Sequence, residues 1–233
     1  MSPHIAAWTT APEFWGAKAA EYDDLIRRVV PRYDELTARL LETLPPAPTH
    51  VLELGCGTGN LSLWLVAAAP EASFTFVDAS PEMLEITRAR IAAEAPATAA
   101  RASFLHSTFE ELPDQAGEYD LAVASLSLHH VPDPAAVYVR IHRNLSPGGV
   151  LRMSDGVRAA ETEQHGLHIA RWHEYWRQNL NAGEMASLSD HVVRHDHYRT
   201  VADHFRMQEA AGFASCDCIW RDGLFAILTA GTA

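Results

Sequence analysis

Basic residues are scarce in this chain of 233 residues: 18 lysines and arginines stand against 30 aspartates and glutamates, a net charge of −12. Neutralising a phosphate backbone takes clustered lysine and arginine. No basic run exists, so neither nucleic acid nor an anionic membrane is an expected partner. Long apolar runs are missing too. No stretch reaches the ~18 residues that would span a bilayer. Residues 1–20 have neither a positive n-region nor a long apolar core, so no signal peptide is expected. Cysteine is rare, and Cys56, Cys216 and Cys218 give no disulfide framework, which fits a reducing, cytoplasmic setting. No internal repeat or low-complexity tract is present. What remains, 48% hydrophobic and 21% charged, has the composition of a globular protein. The length suits one large domain, or a domain with a cap.

The stretch that organises the chain runs from Val51 to Asn60: Val-Leu-Glu-Leu-Gly-Cys-Gly-Thr-Gly-Asn. Val51, Leu52 and Leu54 read as a buried parallel strand. Gly55, Gly57 and Gly59 follow at alternate positions, and a helix carrying Leu61, Leu63, Leu65 and Val66 begins directly after them. Glycines let the backbone turn tightly and approach a ligand closely, and the helix start offers free N–H groups. Strand, turn and helix make a nucleotide-binding corner. A dinucleotide fingerprint would place its third glycine at position 60. Asn60 stands there, which argues against a NAD(P)-dependent oxidoreductase. A second apolar strand, residues 74–77, ends at Asp78, 23 residues after Gly55. An acid so placed can accept from ribose hydroxyls, and it can also cap the helix that starts at Pro81-Glu82-Met83.

The acid-x-Gly-x-Gly-x-Gly pattern from Glu53 resembles motif I of the class I S-adenosylmethionine (SAM) methyltransferases. Asp78-Ala79-Ser80-Pro81-Glu82-Met83-Leu84 resembles the second motif of that family. Ser107 to Pro113 resembles the third, except that Thr108 stands where the family carries an Asp that accepts from the adenine amino group. Tyr119 to Ser125 resembles the fourth. A Leu-x-Pro-Gly-Gly turn, Leu145 to Gly149, before an expected strand over Val150–Ser154 completes the resemblance over residues 49–155. An Ala-Gly-Phe helix end followed by a terminal hairpin, signalled by Asp222-Gly223, extends it to 201–230. The resemblance implies an α/β fold: a doubly wound, Rossmann-like seven-stranded sheet, mostly parallel with an antiparallel C-terminal hairpin, plus a helical cap and lid. It implies SAM as cofactor and S-adenosylhomocysteine as product, held by Tyr33, Glu53, Gly55, Cys56, Gly57, Asn60, Asp78, Ala79, Met83, Thr108, Phe109 and Ser125. The implied reaction is in-line methyl transfer to a small-molecule acceptor.

Two regions lie outside the motifs. Residues 1–48 read as an N-terminal cap of two helices on either side of Pro31, with Trp8, Phe14 and Trp15 near its start and Pro45-Pro46-Ala47-Pro48 at its end. Residues 49–233 read as the SAM-binding domain, with a lid inserted at about 156–200 that carries Trp172, Tyr175 and Trp176 at helical spacing. Tyr22, Trp172 and Trp176 are expected to face the acceptor. His129 and His130 follow the fourth strand, where ligands bind in such sheets, and are the catalytic candidates. Either could act as a general base near neutral pH, and either could instead pack locally. His191, His195 and His197 with Asp190 and Asp196, and His165 with His168, have ligand-like spacing. Among 13 histidines such clusters arise by chance, and no metal is expected.

Val29-Val30-Pro31-Arg32-Tyr33 resembles a segment of the carboxy-SAM synthases, in which the Tyr lies near the cofactor. The arginine that binds a carboxylate in that family has no aligned counterpart; Ser189 falls near its position and Arg194 five residues on. A non-methylating SAM enzyme, such as a carboxy-SAM synthase or a SAM cyclase, is therefore the alternative. An oxidoreductase, opposed by the hairpin as well as by Asn60, and a non-catalytic SAM-binding protein come after it. The sequence leaves the acceptor atom and the oligomeric state open.

Overall fold

β1 (His50–Leu54) lies at the centre of the sheet, and its neighbours explain its composition. β2 (Ser73–Asp78) and β4 (Tyr119–Ser125) pair with it in parallel, one on each side. Val51 to Leu54 are therefore buried, and helices cover both faces, so the strand is a continuous apolar run broken only by Glu53. The structure, a computed structural model, describes residues 10–233; Trp8 lies outside them. β3 (Ala102–His106) extends the sheet beyond β2. β5 (Leu145–Arg158), β8 (Phe225–Gly231) and β7 (Ser215–Asp222) extend it beyond β4, giving the order β3-β2-β1-β4-β5-β8-β7. The first five strands run parallel, and β8 is antiparallel to both β5 and β7. The expected seven-stranded, Rossmann-like sheet with a reversed C-terminal hairpin is present. A two-residue β6 (Arg199–Thr200) adds only to the end of β5.

Alternation along each strand divides the core between two faces. Val51, Phe74, Phe76, Leu121 and Val123 point to one face, covered by α4 (Asn60–Ala68), α5 (Pro81–Glu94) and the N-terminal helices. A single turn, α6 (Pro96–Ala99), links α5 to β3. Leu52, Leu54, Val77, Ala122 and Ala124 point to the other, covered by α7 (Pro134–Asn144) and α10 (Val201–Ala211). The strand order reverses between β1 and β4, so a crevice opens at the carboxyl ends of these two strands, the switch point at which doubly wound sheets bind ligands.

Several expected boundaries shift. The cap holds three α-helices among the described residues rather than two: α1 (Ala11–Ala17), α2 (Tyr22–Val29) and α3 (Tyr33–Glu42). α1 is too short for its periodicity to show, but Thr10 and Glu13 form a reciprocal capping box that starts it. β5 is longer than the expected Val150–Ser154. It begins at Leu145, takes in the expected turn residues Ser146–Gly149 through a register shift opposite Tyr119–Leu121, and runs on to Arg158. The terminal hairpin turns one residue later than expected, with Asp222 paired to Phe225 across Gly223 and Leu224.

Residues 156–200 form two helices, α8 (Thr162–Asn179) and α9 (Ala182–His195). They pack on the cap. The last carbonyls of α2 have no helical partner of their own, and α8 supplies donors: the indole N–H groups of Trp172 and Trp176 both bond to the Val29 carbonyl, at 2.7 and 2.9 Å. The Tyr175 hydroxyl donates to the Arg27 carbonyl at 2.7 Å. Arg28 reaches both carboxylate oxygens of Glu184 on α9, at 2.9 and 3.0 Å. Cap and insertion are thus one helical layer above the carboxyl ends of the strands.

Candidate active site

A cavity of about 710 Å³ lies between the strand ends and this helical layer. Its first half is the glycine corner. Gly55 and Gly57 have φ of +71° and +57°, a region that L side chains rarely adopt. A Cβ on Gly55 would also come within 2.5 Å of the Ser127 side chain. The bend turns the Gly57 N–H toward Asp78, whose Oδ2 accepts it at 2.8 Å while Oδ1 accepts from the Ser80 N–H at 2.8 Å. Burial pushes the Asp78 carboxyl up, and these backbone donors oppose it. The carboxylate keeps lone pairs for a ligand. Ala79, Met83, Thr108 and Phe109 line the cavity beside it. The corner is also braced from outside: Arg90 bonds to the Thr58 carbonyl at 2.9 Å and to Asp23 of α2 at 3.0 Å, and the Thr58 hydroxyl bonds to Asp23.

Behind the glycines is a second space of about 20 Å³, lined by Tyr22, Tyr33, Glu53, Cys56, Asn60 and Ser125, with Gly55 and Gly57 shared with the large cavity. It has room for one water or one ammonium group. Tyr33, Glu53, Cys56 and Asn60 belong to this space alone, and Tyr22 and Ser125 border both. Glu53 is buried, and its Oε2 has no hydrogen-bond partner. Burial raises its pKa to about 8; the Asp78 charge adds to this and the Ser62 hydroxyl opposes it. A buried carboxyl held uncharged, with one oxygen unpartnered, fits an ammonium that is to come.

The second half of the cavity is walled by Trp15, Trp172, Trp176, Leu188, Val192 and Phe225. Trp172 and Trp176 are at once wall and core, because their indole N–H groups are fixed to α2 and their rings are almost wholly buried. At its end sits a polar cluster. His129 and His130 occupy a 3₁₀ turn, Leu128–His130, after β4. Asp155, on the part of β5 beyond Ser154, accepts from the His129 backbone N–H at 2.9 Å and pairs with the ring Nδ1. Asp196, just after α9, places Oδ1 3.2 Å from His130 Nδ1, 3.5 Å from His191 Nε2 and 3.9 Å from His129 Nε2, while its Oδ2 accepts from the Tyr198 hydroxyl at 2.6 Å. The Trp15 indole donates to His130 Nε2 at 3.2 Å.

These contacts set the protonation of the rings. Burial opposes a charged His129, but Asp155 and Asp196 outweigh it and hold its pKa up at about 9. Burial, helped by the His129 charge, lowers His130; burial, helped by His130, lowers His191 to about 3. Burial would raise Asp196, yet His129 and His130 hold it well below the usual carboxylate range. In this arrangement Asp155 and Asp196 favour the charged form of His129, and the His130 Nε2 lone pair accepts from Trp15.

Asp155, Trp15 and Tyr198 were not singled out from the sequence as site residues. An acid on the continuation of an apolar strand was the available signal for Asp155. Arg194 lines the cavity but is half exposed and paired with Asp190 at 2.7 Å, and Ser189 does not line it. Among the described lining residues there is no other arginine and no lysine.

A family model described as a methyltransferase domain matches residues 51–149. A carboxy-S-adenosyl-L-methionine synthase of Trichlorobacter lovleyi is 28% identical over 216 residues, 86% of this chain and 84% of that protein. A trans-aconitate 2-methyltransferase of Methylobacterium radiotolerans is 39% identical over 188 residues, 75% of this chain and 69% of that protein. The chain belongs to the class I SAM-dependent methyltransferase family. SAM is accordingly its cofactor. The fold of this chain is shared with phosphoethanolamine N-methyltransferase 2 of Haemonchus contortus, solved with phosphomonomethylethanolamine and S-adenosylhomocysteine, at a TM-score of 0.69 and 13% identity over 93% of this chain and 58% of that one. No helix among the described residues is long and apolar enough to cross a membrane.

Proposed function

We propose that this protein transfers the methyl group of SAM to a small organic acceptor that is neutral or cationic and has an apolar or aromatic body. The observation that carries this is one continuous cavity joining the Asp78 corner to an aromatic-walled chamber that ends at the cluster of Asp196, His129, His130 and His191, and whose described lining holds no unpaired arginine or lysine. A polyanionic acceptor would face Asp196, with His129, itself paired to Asp155 behind it, as counter-charge, a costly arrangement in a buried site.

SAM supplies an electrophilic methyl carbon on a sulfonium. The chain supplies the geometry. Asp78 accepts from the ribose hydroxyls, its orientation fixed by the Gly57 and Ser80 N–H groups. Glu53, once ionised, pairs with the amino group of the methionine part, in the space shared with Tyr33, Cys56 and Asn60. Met83, Thr108 and Phe109 enclose the adenine, with the Thr108 hydroxyl in the place of a charged acceptor. Ala79 and Ser125 complete the walls. Trp15, Tyr22, Trp172 and Trp176 exclude water and hold the acceptor in line, and this positioning supplies most of the rate. His129 and His130, fixed by Asp155 and Trp15, orient the acceptor's polar group. Residues 49–233 form the cofactor domain in this reading, and residues 1–48 and about 156–200 the cover.

The second reading is a carboxy-SAM synthase. It is favoured by the relative aligned over 86% of the chain and by Tyr33, from the Val-Pro-Arg-Tyr segment, beside Glu53. Mass spectrometry of the nucleoside product after incubation with SAM and a panel of amines, phenols and carboxylic acids separates the two. S-adenosylhomocysteine with a methylated amine or phenol supports methyl transfer. A carboxylated SAM formed with a carboxylic acid overturns it.

A further inference from the structure

We propose that His129 Nε2, His130 Nδ1 and Asp196 Oδ1 bind one divalent first-row transition-metal ion, of the zinc type, whose open positions face the acceptor chamber. The three atoms lie within 4.8 Å of one another, on a turn after β4 and a segment after α9. Two ligands about 2.1 Å from a shared ion stand roughly 3.3–4.2 Å apart. The separations of 3.2 and 3.9 Å from Asp196 Oδ1 to the two rings need little adjustment.

Four features favour an ion over plain packing. Asp196 Oδ1 is approached by ring nitrogens of His130, His191 and His129 at 3.2, 3.5 and 3.9 Å without good hydrogen-bond geometry to any of them, and His191 Nδ1 is buried with no partner; buried polar atoms left so poorly satisfied at one point are rare in a folded protein. Asp155 and Asp196 put two buried carboxylates into the cluster with no arginine or lysine paired to either among the described residues, and a divalent cation held by a neutral His129 balances both. Asp155 fixes the His129 ring through Nδ1, which leaves Nε2 for the ion, and Tyr198 orients Asp196 through its other oxygen; such outer hydrogen bonds accompany metal ligands. Two imidazoles and a carboxylate suit zinc, cobalt or iron better than magnesium or calcium.

Metal at His130 Nδ1 moves that ring's proton to Nε2, where the Trp15 indole N–H now points. Trp15 must then turn away, so loading is coupled to α1. An ion here would hold an oxygen or nitrogen of the acceptor beside the methyl group, a role that rests on the methyl-transfer reading; the site itself does not.

Cobalt(II), added to the chelator-treated full chain without SAM, tests the site through its visible absorption. We expect one ion per chain, the bands of a four- or five-coordinate nitrogen–oxygen site, and a change in Trp15 fluorescence with zinc that Trp15→Phe abolishes. Asp196→Asn and His130→Gln are each expected to weaken cobalt at least tenfold while S-adenosylhomocysteine binding stays within twofold, which shows that the variants fold. A His165→Ala, His168→Ala double variant is expected to keep the site, which excludes surface histidines as its source. Cobalt binding weaker than millimolar in the wild type, or undiminished in both Asp196→Asn and His130→Gln, overturns the proposal and leaves the methyl-transfer reading standing.

Discussion

At one end of the cavity, Asp78 is held by two backbone N–H groups across a bend that only glycine adopts easily. At the other, Asp196 is held by Tyr198 and lies among three imidazoles, each contributed by a side chain. A backbone-built site tolerates little change in its frame. A side-chain-built site can be rewritten one residue at a time. The difference places cofactor recognition in the sheet and acceptor choice in the helical layer and the turn after β4. It also sets which substitutions will be felt where.

The largest effect is expected from Gly57→Val. A branched side chain at φ of +57° is strained by about 1–2 kcal/mol and would enter the cofactor space. Circular dichroism should show a folded protein, and calorimetry should show no S-adenosylhomocysteine binding. Normal binding would mean that the corner has been misassigned.

Asp78→Asn comes next. It keeps the shape but removes charge from the contacts to the ribose, each worth about 1.5–3 kcal/mol. Affinity for S-adenosylhomocysteine is expected to fall about 100-fold. A change below threefold would detach Asp78 from the ribose.

Glu53 gives a smaller, pH-dependent effect. Its raised pKa, about 8 in the free protein, means that the carboxyl is mostly protonated at pH 7. Pairing with an ammonium favours the ionised form and lowers that pKa. Binding therefore releases a proton between the two pKa values, and affinity rises with pH up to about 8 before it levels. Calorimetry at pH 7 in buffers of different ionisation enthalpy reads the proton directly. Zero release, or release abolished in no degree by Glu53→Gln, would place the ammonium elsewhere.

The smallest effect belongs to Trp172→Phe. It removes one of two indole donors to the Val29 carbonyl, at a cost of about 1 kcal/mol, or about 2–4 °C in Tm for a chain of this size. S-adenosylhomocysteine affinity should not change. A parallel loss of cofactor binding would show that the cover is part of the cofactor site.

The same contrast governs what could be read before the structure. β1 to β4, the bend and Asp78 are written in consecutive residues, as apolar runs, glycines at alternate positions and an acid at a strand end, so local pattern was enough. The acceptor end joins Trp15, His129, Asp155, His191 and Asp196, which no periodicity connects. α8 and α9 carry few aliphatic residues on their buried stripe, which is made of Trp172, Trp176 and His191 with Leu188, so no apolar run announces it. His191 stacks on Phe14 with ring centroids 4.1 Å apart, a contact between the two segments that were read as separate cover pieces. The length of β5 was hidden by Pro147, Gly148 and Gly149, which read as a turn but lie in an irregular stretch of the strand.

The most direct test of the division is the affinity of S-adenosylhomocysteine for Asp78→Asn and Asp196→Asn, measured side by side by calorimetry. We expect the first to lose about two orders of magnitude, from the weakened ribose contacts, and the second to bind as the wild type does. Equal losses in both would contradict a cavity whose two ends do separate work.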